Sequence, residues 1–229
     1  EQGINTITLK VAVDPTENDN YLSLNEAMKT LKAVKQSKAK IKTNLVLLYS
    51  DSMTYANKQS LPNGWTKEDA VKEAQDYTTE VIAKLKAEDI APSIITIGNE
   101  VNCNFLDIKK EWDSFVGMAS IAEIIKKNDI KVALSLSKPE NLQWLIEQFG
   151  YAKVDYDYLG VNLYPDDETN SYVENLKKIV EQNAPKVQFF VSGVQYDRVN
   201  DKNTVNAGDH LVFTATVMNA GDTDIPAGT

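Results

Sequence analysis

Short runs of aliphatic and β-branched residues alternate along the chain with longer stretches in which apolar positions recur at helical spacing. Thr6–Val13 (TITLKVAV) reads as a strand ending in Asp14-Pro15. Leu24, Ala27, Met28, Leu31 and Val34 then repeat every three or four residues, with Lys29, Lys32, Lys35 and Lys38 on the opposite, solvated side. Asn44–Tyr49 (NLVLLY) predicts a second strand, followed by a polar loop to Trp65. Thr66 and Asp69 have the spacing of a capping box, opening a helix through Ala70, Val71, Ala74, Val81, Ile82 and Leu85. The third strand is IITI, Ile94 to Ile97, an uninterrupted apolar run of the kind found in parallel strands buried on both faces. A helix around Trp112, Phe115, Val116, Ala119, Ala122 and Ile125 leads to a fourth strand, Lys131–Leu136. Ser137 is placed to cap a short helix, with Pro139 near its first turn and Gly150 just past its end. Tyr158–Tyr164 is the fifth strand, a helix through Val173, Leu176, Ile179 and Val180 stops before Pro185, and Gln188–Val194 is the sixth strand.

Six strand–helix alternations joined by short links predict a parallel α/β fold. Polar residues gather at the carboxyl ends of the strands: Asp14, Asp51, Asn99, Glu100, Asn162, Tyr164 and Tyr196. A (β/α)8 barrel carries its site on that face. No glycine-rich phosphate loop follows the first strand, which argues against a nucleotide-binding sheet. After Asp197 the pattern changes. Asn206-Ala207-Gly208-Asp209 reads as a turn, Leu211–Met218 alternates with period two, and Asn219-Ala220-Gly221 is a second turn. Two short strands are marginal alone, so residues 197–229 read as a hairpin packed on the first domain or as the opening of a second, with 1–196 as the α/β domain.

Composition narrows the chemistry. The 229-residue chain is large enough for a sizeable core, and its net charge of −9 disfavours nucleic acid and anionic membranes while suiting a neutral polymer. No apolar run approaches a membrane span, and the chain starts at Glu1 with no apolar leader, as a mature or trimmed product would. Cys103 is the only cysteine and His210 the only histidine. Intramolecular disulfides, Ser–His and Cys–His catalysis and Cys/His metal sites are therefore set aside, and any chemistry falls to carboxylates. The leading candidate is Glu100. In Gly98-Asn99-Glu100 a carboxylate stands beside an amide side chain at the end of a buried strand, placed to protonate a leaving group or, more plainly, to cap the next segment.

Four segments in order resemble family 53 of the glycoside hydrolases, the endo-β-1,4-galactanases. YSDSMTYANKQSLPNGW, residues 49–65, is similar to the loop after the third barrel strand through Tyr49-Ser50-Asp51, Lys58-Gln59, Pro62 and Trp65. GINTITLKVAVDP resembles the second strand, ITIGNEVN the fourth with its acid/base glutamate, and DYDYLGVNLYP the sixth. The resemblance implies a (β/α)8 barrel of which residues 3–196 supply strands two to seven. It implies Glu100 as acid/base, with Asp51, Trp65, Asn99, Asn162, Tyr164 and Tyr196 as sugar-binding residues. It implies a β-linked plant polysaccharide such as β-1,4-galactan or arabinogalactan as partner, with no cofactor and no metal. The tail, VNAGDHLVFTATVMNAG with PAGT, resembles the start of a CARDB-like β-sandwich and so an extracellular, secreted or cell-surface setting.

The chain also departs from that family. Lys10 and Leu48 stand where arginine and histidine are expected, and Met53 and Tyr55 where tryptophan and aspartate are. Asn162-Leu163-Tyr164 replaces a serine and two tyrosines. The nucleophile glutamate of the seventh barrel strand falls on Ser192 or Gly193. The expectation is a galactanase-like hydrolase that is impaired in this chain or, alternatively, a non-catalytic carbohydrate-binding or adhesion module.

Overall fold

The computed structural model describes residues 5–37, 40–56, 58–163 and 169–194. Parallel pairing is forced by the alternation of strand and helix, because each helix returns the chain to the same end of the sheet. The elements run β1 (Thr6–Val11), α1 (Leu24–Ser37), β2 (Lys42–Leu47), α2 (Ala70–Ala87), β3 (Ile94–Ile97) and α3 (Glu111–Lys126). They continue as β4 (Lys131–Ser137), α4 (Leu142–Tyr151), β5 (Tyr158–Leu163), α5 (Thr169–Asn183) and β6 (Gln188–Val194). The six strands lie in sequential order in one sheet, each pair parallel. This is the expected incomplete barrel: six consecutive βα strands with their helices. The tail, residues 197–229, read from sequence as strands and turns, and both Tyr164 and Tyr196 fall outside the described residues.

The strand period of two divides the sheet into unlike faces. Leu45, Leu47, Ile95, Ile97, Val132, Leu134, Leu136, Leu159 and Val161 point to the helices and are buried there, with Met118, Ile121, Ile125, Phe149, Val173 and Val180 packed on them. Each such side chain contributes about 1.5–3 kcal/mol on burial. The other face is smaller and more polar. Thr96 Oγ1 donates to Asn44 Oδ1 (2.8 Å), and Asn44 Nδ2 reaches Thr8 Oγ1 (3.4 Å), a ladder across β1, β2 and β3. A minor apolar cluster of Ala12, Leu22, Val46 and Leu48 completes that side.

Two local expectations change. The cap of α4 is Asn141, whose side chain accepts from the Trp144 amide (3.1 Å). Ser137 instead ends β4, and Gly150 lies inside the helix rather than past it. Extra residues between Ser137 and Leu142 let the chain turn before the helix begins, so the cap moved with them. Thr66 does accept from the Asp69 amide (3.2 Å), but this bond closes a turn ahead of α2, which begins at Ala70.

At the amino-terminal end of the sheet, Asp157 holds three elements together. It accepts from the Val132 amide (2.8 Å), from Lys131 Nζ (2.9 Å) and from Lys126 Nζ (2.7 Å). Partial burial works to raise its carboxyl, but the hydrogen bonds from Lys126, Lys131 and Val132 outweigh it and hold the group below its ordinary range. A depressed folded value adds stability above the unfolded value, about 3.9, and that stability is lost as pH falls through the folded value. Asp157→Asn is therefore expected to lower the urea midpoint at neutral pH, with the gap from wild type closing below about pH 4. A gap that stays constant from pH 7 to pH 3 would assign the loss to packing instead.

Candidate functional site

The chain leaves β3 through Gly98, whose φ of 62° and missing Cβ fit a turn so tight that a methyl there would lie 2.7 Å from Val101 Cγ1. The Gly98 amide donates to Leu47 O and the Val101 amide to Ser135 O, both at 2.9 Å. Residues 98–101 are thus stitched between the ends of β2 and β4. Glu100 sits in the left-handed region, φ 56°, which costs roughly 1–3 kcal/mol for a residue with a side chain. The surroundings enforce it. Asn102 grips the end of β4 twice, donating to Ser137 O and accepting from the Ser137 amide at 2.8 Å each. Gln59 Nε2 reaches across from the long loop to Asn99 O (2.8 Å) and Glu100 O (3.3 Å).

Around Glu100 the side chains form a directed network. Asn99 Nδ2 donates to Thr54 O (2.8 Å), which fixes that amide's orientation and leaves Asn99 Oδ1 as an acceptor. Asn162 Nδ2 donates to Asn99 Oδ1 (3.2 Å) and to Glu100 Oε1 (2.9 Å). Its Oδ1 accepts from Ser192 Oγ (2.8 Å), and Ser192 Oγ lies 2.9 Å from Ser135 Oγ. Since Ser192 has one hydroxyl hydrogen and gives it to Asn162, Ser135 is the donor of the last bond. Asn99 and Glu100 are 3% and 1% exposed, so the network is shielded from bulk water.

Strand β6 enters this network through a bulge. Val161 pairs with Val191 and Asn162 with Gly193, leaving Ser192 as the extra residue. Both positions consequently face Asn162: the Ser192 hydroxyl bonds its Oδ1, and a Cβ on Gly193 would lie 2.9 Å from that same oxygen. Whichever of the two aligns with a family glutamate, its side chain would project beside Asn162.

The other predicted residues divide by role. Asp51 lies at the same end of the sheet, with both carboxylate oxygens engaged: Oδ1 accepts from the Asp14 amide (3.0 Å) and Oδ2 from the Asn63 amide (2.7 Å). It pins the loop carrying Trp65. Trp65 is half-buried and meets Tyr77 edge-on at 6.5 Å. Tyr49, the first residue of the 49–65 segment, is buried at 3% exposure with its hydroxyl 2.9 Å from Thr78 Oγ1. Burial pushes its phenol well above the usual range. Tyr55 remains on the surface. Half-buried Lys10 places Nζ 3.8 Å from Met53 Sδ; burial lowers its ammonium pKa, and the charge of Glu100 acts in the opposite sense. Burial and the Glu100 charge push the Cys103 thiol up, opposed by a hydrogen bond with Ser137. Among the described residues no group of three or more His, Cys, Asp or Glu side chains could hold a metal ion. Thr54, Asn102 and Ser135 were not singled out from sequence. Asn102 closes the ITIGNEVN segment and Gln59 is one of the shared residues quoted in the 49–65 segment, so those two carried a signal; Thr54 lies in that segment but is not among its shared residues, and Ser135 lies outside all four segments.

The pattern of Glycosyl hydrolase family 53 matches residues 1–221. The arabinogalactan endo-beta-1,4-galactanase of Cellvibrio japonicus (strain Ueda107) is 33% identical over 168 residues, covering 63% of this chain and 43% of that protein. A probable arabinogalactan endo-beta-1,4-galactanase A of Aspergillus terreus (strain NIH 2624 / FGSC A1156) is 26% identical over 185 residues, covering 72% of this chain and 52% of that protein. The chain thus spans about half the length of these curated relatives. A fungal beta-1,4-galactanase superposes with a TM-score of 0.72 at 20% identity, covering 85% of this chain and 66% of that one. The GH53 catalytic domain of Ignisphaera aggregans superposes equally well, 0.72 at 20% identity, over 88% of this chain and 60% of that one. At such identities the superpositions speak to the fold.

The two amide bonds to Asp51 yield a direct test of its role. Asp51→Ala should speed hydrogen exchange at the Asn63 and Asp14 amides by roughly tenfold or more, the equivalent of ~1.4 kcal/mol of lost protection, while exchange in β3 and β4 stays unchanged. Unaltered exchange at Asn63 would show that the loop is held by other contacts.

Proposed function

Because the chain belongs to glycosyl hydrolase family 53, we propose that it is a galactanase-like domain taking a β-linked plant polysaccharide, β-1,4-galactan or arabinogalactan, with its own hydrolysis impaired. The observation that carries this reading is the junction of Glu100 and Asn99 at the end of β3 with Asn162 at the end of β5. It puts a proton donor and two amides on the face where barrel enzymes bind substrate. Glu100 is the acid/base, Asn99 and Asn162 hydrogen-bond the sugar, and Trp65 stacks on it from the loop anchored by Asp51. Tyr164 and Tyr196, which follow β5 and β6 in sequence, are further sugar-binding residues in this reading. No cofactor takes part. The protein works outside the cell, secreted or surface-held, with residues 197–229 opening a CARDB-like module.

The impairment follows from β6. A retaining glycosidase needs a second carboxyl group about 5–5.5 Å from the first, as the attacking group. Strand β6, QFFVSGV, offers none, and the two positions that face the site are Ser192 and Gly193. Asp51 holds the loop instead, its two oxygens accepting from the Asp14 and Asn63 amides. The Ser192–Asn162 bond also favours a second reading, a binding module that kept the barrel and gave up the chemistry.

Calorimetry with β-1,4-galactotetraose separates these readings from a purely structural role. Binding heat is expected, weakened at least tenfold (~1.4 kcal/mol) by Trp65→Ala. No reducing ends should accumulate from galactan, while azide should restore release from an activated aryl β-galactoside as the α-azide. No heat with any plant oligosaccharide would reject the binding role. Vigorous unaided hydrolysis would reject the impairment.

A further inference from the structure

Resting on the galactan reading, we propose that the outer surface between α3 and α4 is a second sugar-binding groove, which holds a stretch of the same neutral β-linked polysaccharide away from the strand-end site. Of the six large apolar side chains exposed among the described residues, four belong to these two helices: Trp112 and Val116 on α3, Trp144 and Tyr151 on α4. Trp112 and Trp144 are 48% and 37% exposed, and Tyr151 is 70% exposed. The helices cover β3, β4 and β5, which lie within the sheet and away from its outer strands β1 and β6. An uncovered sheet edge therefore does not account for this exposure. Apolar patches of this kind mark binding surfaces.

Between the helices runs a groove of about 640 Å³, floored by Val116, Ala119 and Ser120 of α3 and by Ala152 just past α4. Trp112 stands one turn before Val116, and Tyr151 is next to Ala152. Phe115 ties the upper end together, meeting Trp144 edge-on at 6.1 Å from a position one turn after Trp112. From Trp112 to Glu123 the helix rises roughly 16 Å at ~1.5 Å per residue, room for several consecutive sugar rings. The chemistry of the lining selects the occupant. Five of its nine residues are charged: Glu123, Lys126, Lys127, Lys153 and Asp155. Protein–protein interface cores are depleted in such residues. Opposite charges are paired here, Lys127 with Glu123 at 2.6 Å and Lys126 with Asp155 at 3.2 Å, so the groove does not call for an ionic ligand. Flat indole and phenol faces beside paired polar groups suit a pyranose, whose C–H faces stack and whose hydroxyls both donate and accept. The position is also continuous with the proposed cleft. Each helix follows its strand, so the first turns that carry Trp112 and Trp144 lie at the end of the sheet where Glu100 stands. A polymer chain leaving that end reaches the groove.

The test uses the full chain, whose three tryptophans, Trp65, Trp112 and Trp144, report separately on cleft and groove. Their indole N–H signals are assigned by NMR with Trp65→Phe, Trp112→Phe and Trp144→Phe, and followed as β-1,4-galactotetraose is added. The expected result is that the Trp112 and Trp144 signals move together and saturate. Ser120→Arg, which fills the groove, should weaken that titration at least tenfold, and Trp112→Ala should do the same at the Trp144 signal. Neither should change the titration of Trp65. Trp112 is exposed, so its truncation tests the groove even where Ser120→Arg proves misfolded by circular dichroism. Movement of Trp65 with Trp112 and Trp144 fixed overturns the groove and leaves the galactan reading intact. So does movement of Trp112 and Trp144 that Trp112→Ala, or a folded Ser120→Arg, leaves at full affinity. An equal response to tetragalacturonate overturns the choice of a neutral sugar. Signals that move with protein concentration alone, with a dimer seen by sedimentation, give the face to a second copy and overturn the proposal. No movement at any of the three tryptophans overturns the galactan reading and the groove with it.

Discussion

Everything in this structure depends on the outer face of the sheet being buried in one register. Leu45, Leu47, Ile95, Ile97, Val132, Leu134, Leu159 and Val161 are covered by the helices. A slip of one residue would turn that set inward and send Asn44, Thr96 and Ser135 into the apolar layer, with Glu100 displaced at the strand end. Burying each of those polar groups without its partner costs on the order of 1–3 kcal/mol. The register that hides the aliphatics is therefore the one that lines up the strand ends. Asn162 is brought opposite Gly193 and next to Ser137 by ladder pairing alone. The site is a by-product of core packing, refined by loops.

This is also why so much of the architecture was legible in the sequence. The six strands and five α-helices were announced by period, since a strand buried on both faces reads as an unbroken apolar run and a covering helix as a stripe. The ends of elements were less legible. The α4 cap moved from Ser137 to Asn141 because both residues can cap, and tertiary pairing claimed Ser137 for β4. At the site, Glu100 and Asn99 stood out because a polar pair ends an apolar run. Tyr49 was less legible: as the terminal residue of an apolar run it could face either layer, and it went into the core against Thr78. Thr54 and Ser135 were invisible because one contributes a main-chain carbonyl and the other a hydroxyl whose partner lies 57 residues away. Neither leaves a trace in local pattern.

The β6 bulge shows how a backbone irregularity decides a chemical question. In a regular strand Ser192 and Gly193 would point to opposite faces, and only one could reach the site. The extra residue places both against Asn162. Bulges often re-aim a side chain beside an active site. Here it means that both positions at the end of β6 meet Asn162, one with a serine hydroxyl and the other with a bare glycine.

The hydrogen-bond polarity of the site then follows in one direction. The Thr54 carbonyl orients Asn99, Asn99 orients Asn162, and Asn162 takes the hydroxyl hydrogen of Ser192. Asn162 has two N–H hydrogens, directed at Asn99 Oδ1 and Glu100 Oε1, so the end it presents to β6 is an acceptor. A hydroxyl suits that end, whereas an ionised carboxylate arriving from 192 or 193 would face the Asn162 oxygen and add a like charge near Glu100. Turning the amide over would relieve the first contact only by setting its oxygen against Glu100 and Asn99. With Asn162 in place, the network is matched to one carboxylate. The identity of residue 162 and the absence of a glutamate on β6 are thus two sides of one electrostatic arrangement.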